Sequence, residues 1–196
     1  MKPKGCLHLM LFLLILSAGS QGLSGQNEES RKGQWYALPE AGLQLGYVNY
    51  LDLSTLFAYH LTDRLSVGGG PHLCWYLQKG TVYNPESFST FLFGARLMTR
   101  LSLIRHGERF IPFGLLNELF LHAEYEALNL ERAYFDYPQY PESGRFWLHS
   151  LFAGAGITQS ISPSVSFYYM ALFDFSGGIN TVYSNPQYRI GMNIYF

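Results

Sequence analysis

Charged residues are scarce in this sequence, and cysteine is scarcer still. Asp, Glu, Lys and Arg make up 14% of the 196 residues, whereas a soluble globular domain usually has about 25%. Cys74 is the one cysteine beyond residue 25, so that part of the chain cannot form an internal disulfide or a cysteine-rich metal site. It also contains no stretch that approaches 18 uninterrupted apolar residues, which excludes a protein that crosses a membrane with helices.

The charge balance excludes a further class of function. All 14 acidic residues follow residue 25, but Lys2 and Lys4 precede it, so the later part has 11 basic residues and a net charge of about −3. A slightly acidic chain without a basic patch is not expected to bind nucleic acid. Aromatic residues, by contrast, reach 17%, which suits a barrel whose outside faces lipid.

The first 25 residues have the three-part pattern of a secretory signal peptide. Lys2 and Lys4 precede an apolar stretch of about ten residues, which is half of what a membrane-spanning helix needs. Small and polar residues follow, and they offer several cleavage sites between 18 and 26. We therefore predict a cleaved signal peptide over 1–25, a short lead over 26–36 and a β-barrel domain over 37–196. The alternative is a retained membrane anchor.

The rest of the chain alternates between apolar and polar residues with the two-residue period of a β-strand. The last ten residues show the pattern clearly, since every second one is large and apolar: Tyr188, Ile190, Met192, Ile194 and Phe196. We predict eight strands, an even number as closed antiparallel barrels of this type require. They cover residues 41–48, 53–60, 64–78, 88–103, 109–126, 146–159, 164–173 and 187–196.

The predicted connections alternate in length. Those at 61–64, 104–108 and 161–164 are short, and those at 79–87, 127–145 and 174–186 are long. Outer-membrane barrels have short periplasmic turns and longer outer loops. With both chain ends in the periplasm, this pattern predicts an all-β, eight-stranded, antiparallel up-and-down transmembrane β-barrel.

The stretch from Tyr59 to Gly68 resembles the first periplasmic hairpin of small OmpA-type barrels, and the final strand ending in Phe196 resembles their closing strand. The resemblance covers roughly residues 41–196 and is to the OmpA-like/OmpX-like superfamily of porin-family proteins. It implies an integral protein of a Gram-negative outer membrane, a monomer in contact with outer-membrane lipid. It also implies periplasmic chaperones and the barrel-assembly machinery as partners during biogenesis, with Tyr188 and Phe196 as the assembly signal.

A soluble lipocalin-like carrier is the alternative fold assignment, because Gly33-Gln34-Trp35-Tyr36 resembles the lipocalin Gly-x-Trp motif. Such a barrel is apolar inside and polar outside. A surface facing water would be rich in Lys and Glu, yet Lys32 and Lys79 are the only lysines beyond residue 25. The polar face consists largely of Gly, Ser and a few charges, which favours a polar interior and a lipid-facing exterior.

The lumen of an eight-stranded barrel is just wide enough to be filled by side chains. Arg96 and Arg100 are on the inward face of one predicted strand, and Glu118, His122 and Glu124 are on that of the next. Because a buried charge is tolerated only when it is paired, we predict an Arg–Glu network between these strands. Its role would be structural; the alternative is a gated ion path.

No catalytic, cofactor-binding or metal site is predicted. His149-Ser150 is the one adjacent His–Ser pair, and Asp174 or Glu131 could in principle orient that histidine. Neighbouring strand residues point to opposite faces, so the pair is poorly placed for proton transfer. His60, His72 and His122 lie on inward faces, where interior hydrogen bonding explains them. The alternative is an enzyme that modifies outer-membrane lipid.

The long connection before the sixth strand is rich in aromatic residues and proline. Its members Tyr134, Phe135, Tyr137 and Tyr140 form a candidate binding surface, since loops on rigid barrels commonly carry function. The alternative is a strand pair that extends above the membrane with an interfacial aromatic girdle. The sequence therefore predicts a non-enzymatic role in envelope structure or in surface interaction through the outer loops.

Overall fold

The alternating residues form eight β-strands in the computed structural model, which describes residues 30–44, 48–79, 87–107, 116–132, 144–176 and 185–196. The strands are β1 (Trp35–Gln44), β2 (Val48–His60), β3 (Leu65–Gln78), β4 (Phe88–Ile104), β5 (Glu118–Glu131), β6 (Arg145–Ser162), β7 (Val165–Asp174) and β8 (Gln187–Tyr195). Each strand pairs antiparallel with the next, and β8 returns to β1. This confirms the prediction of an all-β, closed, eight-stranded antiparallel barrel.

The predicted signal peptide at 1–25 lies outside the described residues. Within the residues that are described, no helix is long and apolar enough to cross a membrane.

The first two strands differ from the prediction. β1 begins at Trp35 rather than at Ala41, and β2 already begins at Val48 and includes Asp52. The sequence Asn49 to Asp52 has the composition of a turn, but Asp52 points into the lumen and is held by a histidine of β3, His72, with 2.7 Å between Oδ2 and Nε2. A turn-forming residue type is therefore accommodated inside a strand because the barrel supplies its partner.

The connection from β4 to β5 also differs from the prediction. β5 begins at Glu118, not near Arg109, and continues to Glu131 in the predicted loop. Pairing of β5 with β4 starts at Leu119, opposite Ile104, the last residue of β4, and pairing with β6 starts at Glu118, opposite Thr158. The connection at 105–117 is thus longer than the predicted turn at 104–108. Residues 108–115 lie outside the described residues.

The barrel has two ends that we name by their connections. The turn end contains the connections at 61–64 and 163–164, together with residues 30 and 196 of the chain. The loop end contains the connections at 79–87, 132–144 and 175–186. At the turn end, the backbone N–H of Phe196 donates to the carbonyl of Trp35 (3.1 Å) and closes the seam between β8 and β1. That seam pairs at two positions, Tyr36 with Tyr195 and Ala37 with Ile194.

The two faces of the barrel are chemically opposite. The exposed face, which we call the outer wall, carries large apolar side chains on every strand, among them Phe57, Trp75, Leu97, Leu121, Leu151, Phe173 and Ile190. The lumen holds two arginines and three glutamates with almost no exposure: Arg96, Arg100, Glu118, Glu124 and Glu126.

The sequence predicted a polar lumen, but the lumen also contains two apolar clusters. An apolar cluster lies toward the loop end and contains Cys74, Leu92, Leu128, Leu130, Phe146 and Leu148. A second cluster with many aromatic members lies toward the turn end and contains Tyr36, Leu38, Leu56, Phe120, Phe152 and Tyr168. The central charged residues lie between and beside these clusters.

Candidate functional site in the barrel lumen

Arg96 of β4 is the centre of a buried ion cluster in the middle of the lumen. Its Nε donates to Oε2 of Glu126 on β5, and its Nη1 donates to Oε2 of Glu40 on β1, both at 2.8 Å. Nη1 also donates to Oγ of Ser54 at 3.0 Å. Nη2 lies 3.6 Å from the Asp52 carboxylate. The single guanidinium therefore ties together strands that are far apart in the sequence.

His72 of β3 lies between two carboxylates of this cluster. Its Nε2 is 2.7 Å from Oδ2 of Asp52, and its Nδ1 is 2.9 Å from Oε2 of Glu126. The second contact has an angle too poor for a hydrogen bond, so we regard Asp52 as the partner of His72. Nη2 of Arg96 lies 3.0 Å from the same Nε2. Because Nε2 cannot donate to Asp52 and accept from Arg96 at the same time, the hydrogen bond of His72 joins β3 to β2 through Asp52.

Arg189 of β8 forms the second centre of the cluster. Its Nη1 donates to the Glu124 carboxylate at 2.8 Å from Oε1 and 3.1 Å from Oε2. His122 Nε2 is 3.2 Å from Oε2 of the same carboxylate. Glu124 Oε1 is also 3.6 Å from Nε of Arg96. Glu124 therefore joins the two arginines across the barrel.

We call the eight residues Glu40, Asp52, His72, Arg96, His122, Glu124, Glu126 and Arg189 the central charge cluster. Four carboxylates, two guanidiniums and two imidazoles hold one another in an interior where unpaired charges are costly. Tyr168 adds a hydroxyl donor to Glu40. The arrangement can fix the positions of six strands relative to one another. It offers no open coordination position, and among the described residues no group of His, Cys, Asp and Glu fits a metal ion.

The predicted network residues separate into two groups. The structure brings Arg96, His122 and Glu124 together in the central charge cluster. Glu118 lies instead at the turn end, where Arg31 donates to its Oε2 at 2.8 Å and Ser102 donates to its Oε1. Arg100 contacts neither glutamate and donates from Nη1 to Oδ1 of Asn193 at 3.0 Å.

Five members of the central charge cluster were absent from the predicted network: Glu40, Asp52, His72, Glu126 and Arg189. Arg189 and Glu126 do lie on the polar faces of predicted strands, so alternation alone would have included them. Glu40 and Asp52 fell outside the predicted strand boundaries, and nothing in the local sequence marks them as inward. Their inclusion depends on the register of β1 and β2, which pairs Glu40 with Ser54 and Gly42 with Asp52.

A polar cap closes the turn end through the lead that precedes β1. Burial, the largest single effect, lowers the pKa of the Arg31 guanidinium, but the Glu118 carboxylate together with Tyr195 and Tyr36 leaves that pKa above its ordinary value. Asp63 in the β2–β3 turn accepts hydrogen bonds from Ser30 Oγ (2.7 Å) and from the backbone N–H of Arg31 (2.9 Å). These hydrogen bonds hold the pKa of Asp63 below its usual range, and the bond from the Ser30 hydroxyl has the largest effect.

The candidate catalytic pair does not meet. His149 is exposed on the outer wall and Ser150 is buried in the lumen, as expected for neighbours in a strand. Nδ1 of His149 lies 2.6 Å from the hydroxyl of Tyr125, and the two rings stack with 5.9 Å between centroids. Asp174, a possible orienting group, instead accepts from the backbone N–H of Ser176 at 2.8 Å.

The predicted assembly signal is exposed, with Tyr188 78% and Phe196 76% accessible. The four aromatic residues of the predicted loop surface, Tyr134, Phe135, Tyr137 and Tyr140, lie outside the described residues. The base of that loop is described: the N–H of Arg132 donates to the carbonyl of Gly144 at 2.8 Å.

A shallow apolar depression of about 470 Å³ lies on the outer wall between β5 and β8. It is lined by residues of β5, β6, β7 and β8, among them Ala155, Ala171, Tyr169 and Tyr188. Its lining is largely apolar and includes Arg189, whose guanidinium pairs with Glu124 in the lumen.

No family model matches the sequence, and no curated protein matches it. The chain is similar to the N-terminal β-barrel domain of Pseudomonas aeruginosa OprF, at 12% sequence identity and a TM-score of 0.47. The superposition covers 86% of this chain and 100% of that domain. A likeness at this level does not assign a family or a function, and the fold assignment stands on the strand pairing of the chain itself.

Proposed function

We propose that this chain is an integral outer-membrane β-barrel with a filled, non-conducting lumen and a non-enzymatic role in the cell envelope. One observation carries the proposal: the outer wall is apolar, whereas the buried lumen holds the charged side chains. This is the reverse of a water-soluble barrel. A strand surface of this kind is stable when lipid surrounds it.

The outer wall is too apolar for a protein surrounded by water. Leu97 is 61% exposed, Phe91 52% and Leu151 50%, each near the middle or the loop-end half of a long strand. Soluble monomers rarely expose contiguous apolar patches of more than a few hundred Å². A lipocalin-like carrier would instead place these side chains inside, so the face assignment favours the membrane protein over the soluble alternative.

The lumen supports a structural role rather than conduction. An eight-stranded barrel leaves space for side chains but little more, and here two apolar clusters occupy the interior beside the central charge cluster. The charged groups contact one another directly, with heavy-atom distances near 2.8 Å. A gated ion path would require these ion pairs to part and the apolar cluster toward the loop end to open.

Cell fractionation with heat-modifiable gel migration tests the location and the fold together. We expect the protein in the outer-membrane fraction of a Gram-negative producer, with a band that migrates faster before boiling than after. Insertion is expected to depend on the barrel-assembly machinery and to fail when Phe196 is removed. A soluble protein whose gel migration does not change on boiling would overturn the proposal and favour the soluble lipocalin-like carrier.

The second part of the proposal is that surface interactions are made by the loops of the loop end. The β5–β6 connection is anchored at its base by the hydrogen bond between Arg132 and Gly144 and by the pairing of Glu131 with Arg145. Residues 133–143 can therefore be replaced with a short Gly-Ser linker without cutting a strand. We expect this variant to retain heat-modifiable migration and to lose binding of producing cells to host or abiotic surfaces. Unchanged binding would show that this loop is not the contact surface.

A further inference from the structure

Four inward side chains form one row across the turn-end half of the barrel. The strand register pairs His60 with Ser66, Ser66 with Arg100, and Arg100 with His122, so the row crosses β2, β3, β4 and β5. All four side chains are at least 95% buried. His122 also belongs to the central charge cluster, and the other three lie between that cluster and the Arg31–Glu118 pair of the turn end.

Arg100 differs from Arg96 because two of its guanidinium nitrogens are left without a hydrogen-bond partner. Nη1 donates to Asn193, but Nε and Nη2 have no hydrogen-bond partner among the described residues. These two N–H groups form the edge of the guanidinium that binds paired oxygens. Arg96, by contrast, uses Nε for Glu126. Both ring nitrogens of His60 are also buried without a partner.

Among the residues that the structure describes, the glutamates near Arg100 are bonded to other groups. Glu118 is bonded to Arg31 and Ser102, and Glu124 to Arg189 and His122. The guanidinium is held in place by aromatic rings: its Cζ lies 4.1 Å from the ring centre of Phe120 and 5.0 Å from that of Tyr168. A buried guanidinium without an anionic acceptor is costly, because the interior does not replace the water it has lost.

We propose that the free edge of Arg100 binds a small inorganic anion of the size of chloride. The anion would accept from Nε and Nη2 of Arg100, and a ring N–H of His60 in the same row would provide a further donor. A single-atom anion is favoured over a carboxylate or phosphate because the row lies within packed side chains of the turn-end apolar cluster. The inference rests on the barrel interior and not on where in the cell the barrel resides.

Thermal unfolding of the purified barrel in detergent tests the site. Chloride is exchanged for gluconate at constant ionic strength, and the folded fraction is read from heat-modifiable migration. We expect chloride to raise the unfolding midpoint, with the folded-to-unfolded ratio about tenfold higher when chloride reaches ten times its Kd. Equal midpoints in the two salts would mean that water alone satisfies the Arg100 edge, and would overturn the proposal.

Variants separate a specific site from a general salt effect. Asn193→Asp gives Arg100 a carboxylate at the same position and should abolish most of the chloride response while keeping the barrel folded. Arg100→Gln should abolish it completely. Arg145→Gln, which removes an arginine at the loop end, should retain the wild-type response. A chloride response that persists in the folded Asn193→Asp variant would contradict the proposal.

A bromide-soaked crystal provides the direct measurement. We expect an anomalous scattering peak within hydrogen-bonding distance of Nε and Nη2 of Arg100. The absence of a peak there at a bromide concentration that saturates the thermal response would overturn the assignment to Arg100.

Discussion

A charged side chain in this lumen depends on the partners that the barrel brings to it. Arg96 contacts carboxylates from β1, β2 and β5, and each of those carboxylates is itself almost fully enclosed. Removing one partner of a buried ion pair leaves the other without compensation, and this typically costs about 3–5 kcal/mol. The cost of a substitution in unfolding free energy therefore depends on which contacts it removes and not on the number of charges in the lumen.

Substitution of Arg96 tests the contacts of the central charge cluster. We expect Arg96→Met to lower the free energy of unfolding by about 3–5 kcal/mol, because Glu126 and Glu40 lose their guanidinium. In a double-mutant cycle, Arg96→Met with Glu126→Gln should show a coupling of about 0.5–3 kcal/mol, measured by denaturant unfolding in detergent. The matched cycle of Arg96→Met with Glu118→Gln should be additive within about 0.5 kcal/mol, because Glu118 is bonded to Arg31. Strong coupling between Arg96 and Glu118 would contradict this arrangement.

Asp63 makes the attachment of the lead dependent on pH. Its pKa is depressed in the folded protein, so the folded state keeps the carboxylate charged at a pH where the unfolded chain already binds a proton. Its contribution is complete above the ordinary aspartate pKa of about 3.9 and is lost as the pH falls through the lower, folded pKa.

The measurement is the rate of proteolysis of the lead between residues 30 and 34 as a function of pH, with a protease that is active in acid. We expect cleavage of the wild type to accelerate below about pH 4. Asp63→Asn should be cleaved faster at neutral pH and should lose this acid-dependent step. The same acid step in Asp63→Asn would assign it to another carboxyl group.

Strand β6 passes very close to β7 at a glycine. A Cβ built on Gly154 would lie 1.9 Å from the carbonyl oxygen of Ala171 and 2.9 Å from Cα of Leu172. Both obstacles are backbone atoms of a paired strand, which cannot turn aside as a side chain can. The glycine therefore sets the distance between these two strands.

Alanine substitution at Gly154 and at Gly69 compares a glycine that faces backbone atoms with one whose nearest neighbour is a side-chain atom. We expect Gly154→Ala to destabilise the barrel by about 1–3 kcal/mol through overpacking. Gly69→Ala is the matched control, because its Cβ would meet first the flexible Cδ2 of Leu97, at 2.8 Å. Its cost should be smaller, as measured by the unfolding midpoint of each variant in the same detergent. Equal losses would show that β7 moves to accommodate the new methyl group.

The middle and final strands were the easiest to predict from the sequence. β3, β4 and β8 follow the two-residue period almost without interruption, because one face meets the apolar exterior and the other the lumen. The period fails where the lumen itself accepts large apolar residues or where a polar inward residue resembles a turn. Leu56 and Asp52 in β2 are such cases, and the predicted second strand was shorter than β2.

The apolar outer wall is a property of the whole molecule. A single lysine substitution tests whether this wall faces lipid. We expect Leu97→Lys, near the middle of β4, to cost about 2–4 kcal/mol and to reduce the inserted fraction, because the charge would face hydrocarbon. Leu61→Lys is the control in the β2–β3 turn, where the cost should be about 0–1 kcal/mol. Insertion is measured by heat-modifiable migration after folding into lipid vesicles. Equal tolerance at both positions would contradict a lipid-facing wall.

The amino-acid pattern established the class of architecture: eight alternating segments, few charges and no long apolar segment beyond residue 25 lead to a closed antiparallel barrel. Local alternation is sufficient for this because each strand residue faces one side or the other regardless of its distant partners. Alternation alone could not determine which of the two faces is buried, although the scarcity of lysine favoured a polar interior. Neither feature could determine which charges meet. Arg96 meets Glu40 across 56 positions of sequence and Arg189 meets Glu124 across 65. Such contacts arise from the register of all eight strands and from closure of the barrel, and these are set by the simultaneous packing of the whole lumen.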